Sequence, residues 1–238
     1  MRTGILVQVR LGSTRLPSKA ILPLPGGLVI QHVMRALAGI PAEVRALLTD
    51  EQSRDTLLPI ARAEGFEVVT GSPEDVLERY CTACEDRDID RIVRATGDNP
   101  FTSAWLANSI IALHEHARAD LSHYLGNPWG TGVEIIESKA LLAARTHATL
   151  PDEKEHITTW LYRNPDGFTI IEPSAPEEAS FPQARVTVDT EEDYRTVIRI
   201  FEELYTGVPI EVDRLMPWLK AHRESVTQAA REAGVGNA

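Results

Sequence analysis

The chain has 238 residues, 43% apolar and 25% charged, a globular composition that can bury a core in one or two domains without staples and excludes a disordered or fibrous chain. Lys and Arg number 24 against 35 Asp and Glu, and the resulting net charge of −11 excludes general binding to nucleic acid or to anionic membrane surfaces. With two cysteines, no leader and no apolar run of about 18 residues, the sequence predicts a soluble protein of the reduced cytoplasm.

In chain order, Gly4 to Val9 is an apolar run ended by Gly12, Ser13 and Pro17, and predicts a buried strand. Leu28 to Leu37 has helical spacing. The alternation continues with Val44 to Thr49 as strand, Ser53 to Glu64 as helix, Phe66 to Thr70 as strand, and Pro73 to Arg87 as helix with Ser72 as its cap. Cys81 and Cys84 fall inside that last helical pattern; zinc wants four ligands and no second pair exists, so they read as half-buried helix residues. Arg91 to Ala95 follows as strand and Ser103 to Ala117 as helix. This order predicts right-handed crossovers and an α/β fold with a mostly parallel sheet covered on both faces. Beyond Asp120 the rhythm loosens through Tyr124, Pro128, Trp129, Gly130 and Gly132, up to a strand at Val133 to Ile136. Further helices are expected at Lys139 to His147, Glu155 to Tyr162, Glu191 to Leu204 and Val212 to Ala221. Strands are expected at Phe168 to Ile171 and Arg185 to Val188, and fraying over residues 227–238.

Chemistry collects first in Val9-Arg10-Leu11-Gly12-Ser13-Thr14-Arg15-Leu16-Pro17-Ser18-Lys19. Three cations interleaved with small residues directly after the first strand suit a polyphosphate cradle, in which fixed positive heads and backbone N–H donors meet an anion. Composition alone allows a solvated loop equally well, and neither a P-loop nor a dinucleotide glycine pattern is present. Position favours the cradle, because open parallel sheets bind ligands beyond the carboxyl ends of their strands. Four other polar clusters sit at such ends: Thr49-Asp50, Gly71-Ser72, Thr96-Gly97-Asp98-Asn99 and Asp189-Thr190. Two carboxylates facing a polyphosphate suggest Mg²⁺. Taken by itself, Asp189-Thr190-Glu191-Glu192 reads as a helix start, which favours capping for Asp189 and a site role for Asp98.

The segment from Val7 to Lys19 resembles the opening signature of the cytidylyltransferases that make CMP-activated sugar acids, the 3-deoxy-manno-octulosonate and acylneuraminate enzymes, and most closely their spore-coat polysaccharide branch. Thr70 to Tyr80, Arg94 to Pro100, Glu155 to Thr158 and Val186 to Asp193 keep the family's order, so the resemblance spans residues 3–205. It implies a single nucleotidyltransferase domain of GT-A-like fold over residues 1–238, with acceptor-binding and dimerisation insertions at 121–137 and about 150–180, and a homodimer. It further implies CMP transfer from CTP to an acidic acceptor (sugar acid, phosphate or phosphonate) with release of pyrophosphate. Arg10, Ser13, Arg15 and Lys19 would hold the triphosphate; Val9 to Gly12, Leu11 included, and Gly71-Ser72 would read cytosine, with Thr96 and Gly97 beside them. Asp98 and Asp189 would bind Mg²⁺, against the capping preference for Asp189, and Arg10, Lys19, Asp98 and Asp189 would form the catalytic set. Asn99, Glu134, Glu155 and His156 are the acceptor-side candidates. Trp129 and Gly132 stand where relatives carry an Arg and an Asp, and Lys154 stands where an Arg is common; these departures suit a smaller or differently charged acceptor. Two other readings are a metal-dependent glycosyltransferase, from Asp86-Arg-Asp88 and Asp88-Ile-Asp90, and an inactive nucleotide-binding module.

Overall fold

A computed structural model describes residues 1–226; the fraying expected over 227–238 lies outside the described residues. The elements in order are β1 (Thr3–Gln8), β2 (Pro23–Leu24), β3 (Gly27–Leu28), α1 (Val29–Leu37), β4 (Val44–Thr49), α2 (Glu51–Ala63), β5 (Glu67–Thr70), α3 (Val76–Arg87), β6 (Arg91–Thr96) and α4 (Ala104–Ala117). They continue with β7 (Leu121–Ser122), β8 (Glu134–Glu137), α5 (Ser138–His147), α6 (Pro151–Glu155), α7 (Thr159–Arg163), β9 (Ile170–Ile171), α8 (Glu191–Leu204) and α9 (Val212–Ala221).

A seven-stranded sheet in the order β5-β4-β1-β6-β8-β7-β9 organises the molecule, with β2 and β3 as a separate hairpin. The pairs β5-β4, β4-β1 and β1-β6 are parallel, which confirms the α/β reading; β8 runs antiparallel to β6 and β7. Period-two alternation splits β1 between two cores. Ile5 and Val7 face a cluster with α1, α4 and α8, while Leu6 faces one with α3 and α5. Being buried on both faces explains why these strands read as unbroken apolar runs. Among the described residues no helix is long and apolar enough to cross a membrane.

Four expectations need correction. Helix α3 starts at Val76, capped by the Asp75 carboxylate, because the Ser72 hydroxyl accepts from the amides of Glu74 and Asp75 and closes a turn before the helix. The helix expected over Glu155 to Tyr162 is two short ones, α6 and α7, broken at His156. The strand expected at Phe168 to Ile171 shrinks to β9. Arg185 to Val188 forms no ladder: its amides reach two different partners, Val186 to the Trp129 carbonyl and Val188 to the Asp98 carbonyl, each at 2.8 to 2.9 Å. Cys81 and Cys84 are free and buried in α3; burial pushes their thiols up to about 12 and about 11, which leaves them inert as nucleophiles.

Candidate active site

The carboxyl ends of β1, β4, β5 and β6 form one rim, and the cationic loop leaves it directly after β1. Val9 stays in register by donating to the Leu48 carbonyl, and the Leu11 amide donates to the Ser53 hydroxyl at 3.0 Å. The Ser18 amide returns to the Leu11 carbonyl, with Ser18 at a left-handed φ of 56°, so the loop closes on itself and delivers Lys19 back to the rim. Gly12 is exposed, and a methyl group added there would meet nothing within 4 Å, which leaves open approach to the backbone. Ser13 is half-buried; Arg10 and Arg15 are exposed.

Asp98 follows β6 after Gly97. That glycine is required by close packing: a Cβ would stand 2.7 Å from Val9 Cβ, so the two rim loops touch backbone to side chain. The Asp98 carbonyl accepts the Val188 amide, and this single bond brings Asp189 opposite Asp98. Lys19 Nζ then sits between them, 2.5 Å from Asp98 Oδ2 and 2.7 Å from Asp189 Oδ1. The remaining oxygens are held from outside. Thr96 Oγ1 donates to Asp98 Oδ1, while Thr187 Oγ1 and the Arg185 guanidinium hold Asp189 Oδ2. Burial disfavours charge on both Lys19 and Asp189. Attraction outweighs it: Asp98 first and then Asp189 raise the lysine, while Lys19, Arg185 and Thr187 lower the aspartate. Asp189 does not cap α8: Thr190 does, with Asp193 completing a capping box and also accepting the Asp189 amide. The capping preference is thereby overturned.

A magnesium ion fits this donor set. Lys19 already stands as a cation between two inward-facing oxygens whose partner oxygens are fixed, and Mg²⁺ takes one or two carboxylates together with phosphate oxygens and water. Among the described residues no group of three or more His, Cys, Asp or Glu could hold a metal by itself.

Beside this rim lies a polar cleft of about 720 Å³ lined by Arg10, the 72–75 turn, Thr149, Pro151, Lys154 and Glu155. Arg10 reaches Glu155 at 3.7 Å and Lys154 reaches Asp75 at 3.1 Å, so two ion pairs span it. His156 is exposed at the end of α6. Asn99 is half-buried, with an unpartnered buried Oδ1. Glu134 is engaged elsewhere: it pairs with Arg94 and accepts from Thr158 Oγ1, bracing β6 and β8 against the start of α7. The structure thus gathers Arg15, Lys19, Asp98 and Asp189 tightly and sets Arg10, Ser72 and Glu155 along the adjoining cleft, with Gly71 just before its 72–75 turn.

Two residues escaped the sequence reading. Arg185 is 6% exposed and fixes Asp189; its alternating Arg-Val-Thr-Val run sets it with Thr187 on the polar face, so nothing in the sequence marked it as buried. Arg79 is 4% exposed, with Nε and Nη1 unpartnered, and packs under Gly71, where a Cβ would meet its Cγ at 2.5 Å. A cation among the apolar positions of α3 was the signal there. The Asp-x-Asp acids lie at the opposite edge, before β6: Asp88 ends α3 in a left-handed conformation and Asp90 accepts the Arg2 amide.

Opposed carboxylates and a cationic loop thus meet at the carboxyl rim of a parallel sheet, and the chain is a nucleotidyltransferase. The cytidylyltransferase family model matches residues 4–214, and the chain belongs to that family; it is an enzyme that transfers CMP from CTP. It is 29% identical to the spore coat polysaccharide biosynthesis protein SpsF of Bacillus subtilis (strain 168), over 96% of this chain and 97% of that one. It is 30% identical to a 3-deoxy-manno-octulosonate cytidylyltransferase of Mesorhizobium japonicum over 58% of this chain and 56% of that one. A solved cytidylyltransferase from Leptospira borgpetersenii superposes with a TM-score of 0.86 and 28% identity, over 95% of this chain and 97% of that chain. CMP:2-keto-3-deoxy-manno-octonic acid synthetase, solved with CTP, shares the fold at a TM-score of 0.65 and 14% identity, over 85% of this chain and 99% of that chain.

Proposed function

We propose that the protein transfers CMP from CTP to an acidic small molecule, a sugar acid or a phosphate- or phosphonate-bearing compound, at the rim between Lys19, Asp98 and Asp189. The arrangement of Lys19 between the two aspartates carries this reading, since it places one positive and two negative groups where a metal-bound triphosphate needs all three. An acceptor oxygen attacks the α-phosphorus; the new P–O bond forms as the bond to the β-phosphate breaks, and the electron pair leaves on pyrophosphate. Arg10, Arg15 and Lys19 neutralise the departing charge, and the loop amides around Gly12 and Ser13 orient the phosphates. Asp98 and Asp189 would hold Mg²⁺, which supplies further charge neutralisation when bound.

The base lies toward Gly71 and Ser72, where the Arg79 guanidinium, with buried Nε and Nη1 unpartnered, offers donors suited to a pyrimidine carbonyl. The acceptor lies toward the Glu155 and His156 wall and Asn99. Relatives named for octulosonate substrates support a carboxylate-bearing acceptor, while exposed Trp129 supports one smaller than theirs. The same reading includes a homodimer through the 121–137 stretch, where Leu125 is 48% exposed, and a cytoplasmic location, in keeping with two unpaired thiols. Sedimentation at micromolar concentration tests the dimer.

The deciding experiment offers CTP, Mg²⁺ and a pool of acidic metabolites, follows pyrophosphate and detects CMP conjugates by mass spectrometry. Lys19→Ala and Asp98→Asn should each lower turnover about 10² to 10³-fold, the scale seen when one transition-state charge partner is removed. Unchanged turnover in both would remove the assignment.

A further inference from the structure

Lys19 has two destinations in the proposed reaction, and the structure shows it at only one of them. Its ammonium bridges the inward oxygens of Asp98 and Asp189, while Arg15 reaches the same Asp189 oxygen from the exposed side at 3.2 Å. We infer that Lys19 is a built-in occupant of the metal position, so that the nucleotide-free enzyme excludes a lone divalent cation and admits it only with a triphosphate that draws the ammonium away. The inference rests on the CTP reading above and concerns the order in which that site fills.

Charge is the first reason. Lys19, Arg15 and Arg185 set three cations against Asp98 and Asp189, or against three carboxylates when Asp193, 3.8 Å from Arg185, is included. The rim is therefore neutral or slightly positive as it stands. A bare divalent cation finds no net attraction there, whereas a metal-bound triphosphate, still an anion, does. Geometry is the second. Both aspartates are locked through their outer oxygens, so they cannot turn to offer a cation fresh ligands while Lys19 holds the inner pair. The third is the tether. Lys19 opens a short 3-10 turn whose next residue, Ala20, is buried, so its backbone is anchored and the flexible four-carbon stem alone can relocate the charge.

The test measures Mn²⁺ binding without nucleotide, by electron paramagnetic resonance and by the shift of the thermal unfolding midpoint. Lys19→Met should bind Mn²⁺ at least about tenfold more tightly than the wild type, because two carboxylates lose their internal counter-ion. Mn²⁺ should then raise its unfolding midpoint while leaving the wild type unmoved. Lys19→Gln, which keeps a donor for the carboxylates, serves the same comparison if the methionine variant does not fold, and Lys19→Arg should retain the weak wild-type binding. Equal or weaker Mn²⁺ binding by the neutral variants would overturn the inference. CTP binding by the wild type in Mg²⁺, measured separately, tests the functional reading; its failure would leave the nucleotide-free comparison interpretable on its own.

Discussion

Strands β5, β4, β1 and β6 and strands β8, β7 and β9 belong to one sheet, yet different forces hold them. The first group is made of four- to six-residue strands, with β1 and β4 buried on both faces and β5 at the edge, and Leu6, Leu47 and Leu48 are wholly inaccessible. The second consists of two- to four-residue pieces paired over only two residues at each β7 ladder, with isolated bridges from Leu125 to Ser174 and from Trp129 to Arg185 beyond them. Charged contacts fill the gaps: Arg94 with Glu134, Arg91 and His114 with Glu137, and His123 with Glu172. Nonspecific burial fixes the proposed nucleotide rim as a unit. The proposed acceptor side is assembled from pairwise polar contacts that can be exchanged one at a time, which would suit a region that differs between enzymes using the same nucleotide.

The largest effect that would sharpen this contrast is chemical. Asp189→Asn should lower kcat by about 10² to 10³-fold and also lower the unfolding midpoint, since it leaves Lys19 and buried Arg185 short of a counter-charge, whereas Trp129→Ala should change only the acceptor KM.

Acid should then separate the halves. His32 is 3% exposed against Phe201 and Tyr205 in the nucleotide half, and burial, aided by Arg35, pushes it down to about 4. Below about pH 6.5 the unfolded chain takes a proton that the folded one refuses, so stability falls between pH 6.5 and 4, by roughly 3 kcal/mol at the end of that range. On the acceptor side burial would raise Glu137, but hydrogen bonds from His114 and Arg91 outweigh it and hold the carboxyl below its usual range. Its contribution persists above pH 4.5 and disappears only under stronger acid. Urea unfolding of His32→Leu from about pH 2 to 7 checks this: the upper phase should vanish and the lower one remain.

Two glycines make the next comparison. Gly97→Ala should cost about 1 to 3 kcal/mol, since the methyl group collides with Val9 inside the core. Gly132→Ala meets only the Asn127 amide at 3.0 Å, the end of a movable side chain, and should cost less than about 1 kcal/mol by the same urea titration. The smallest effect is expected of Trp129→Ala, about a twofold change in acceptor KM with the CTP KM unmoved, read from steady-state kinetics.

The nucleotide half was legible because its signals are local. Apolar runs of strand length, each followed by small and polar residues, announce β1, β4, β5 and β6 and the rim at their ends. The acceptor half was less so, since what shapes it lies far away in sequence. Arg185 to Val188 alternates like a strand but lacks a neighbour able to pair along its length. His156 interrupts a helical pattern whose amphipathic spacing looked continuous. In the site, the sequence pointed to Lys19, Asp98 and Asp189; it could not reveal that the lysine bridges the acids, because that depends on the Val188 amide meeting the Asp98 carbonyl. Arg79 and Arg185 were missed for a related reason: a cation in an apolar pattern ordinarily lies at a surface, and only the folded chain shows these two inside.

That one backbone bond has a consequence during synthesis. The cradle and the first aspartate leave the ribosome within the first hundred residues, whereas Asp189 emerges only with the last quarter of the chain. If Asp189 acts as proposed, a nascent chain that has folded its central strands early still cannot consume CTP, and competence arrives when the closing segment docks.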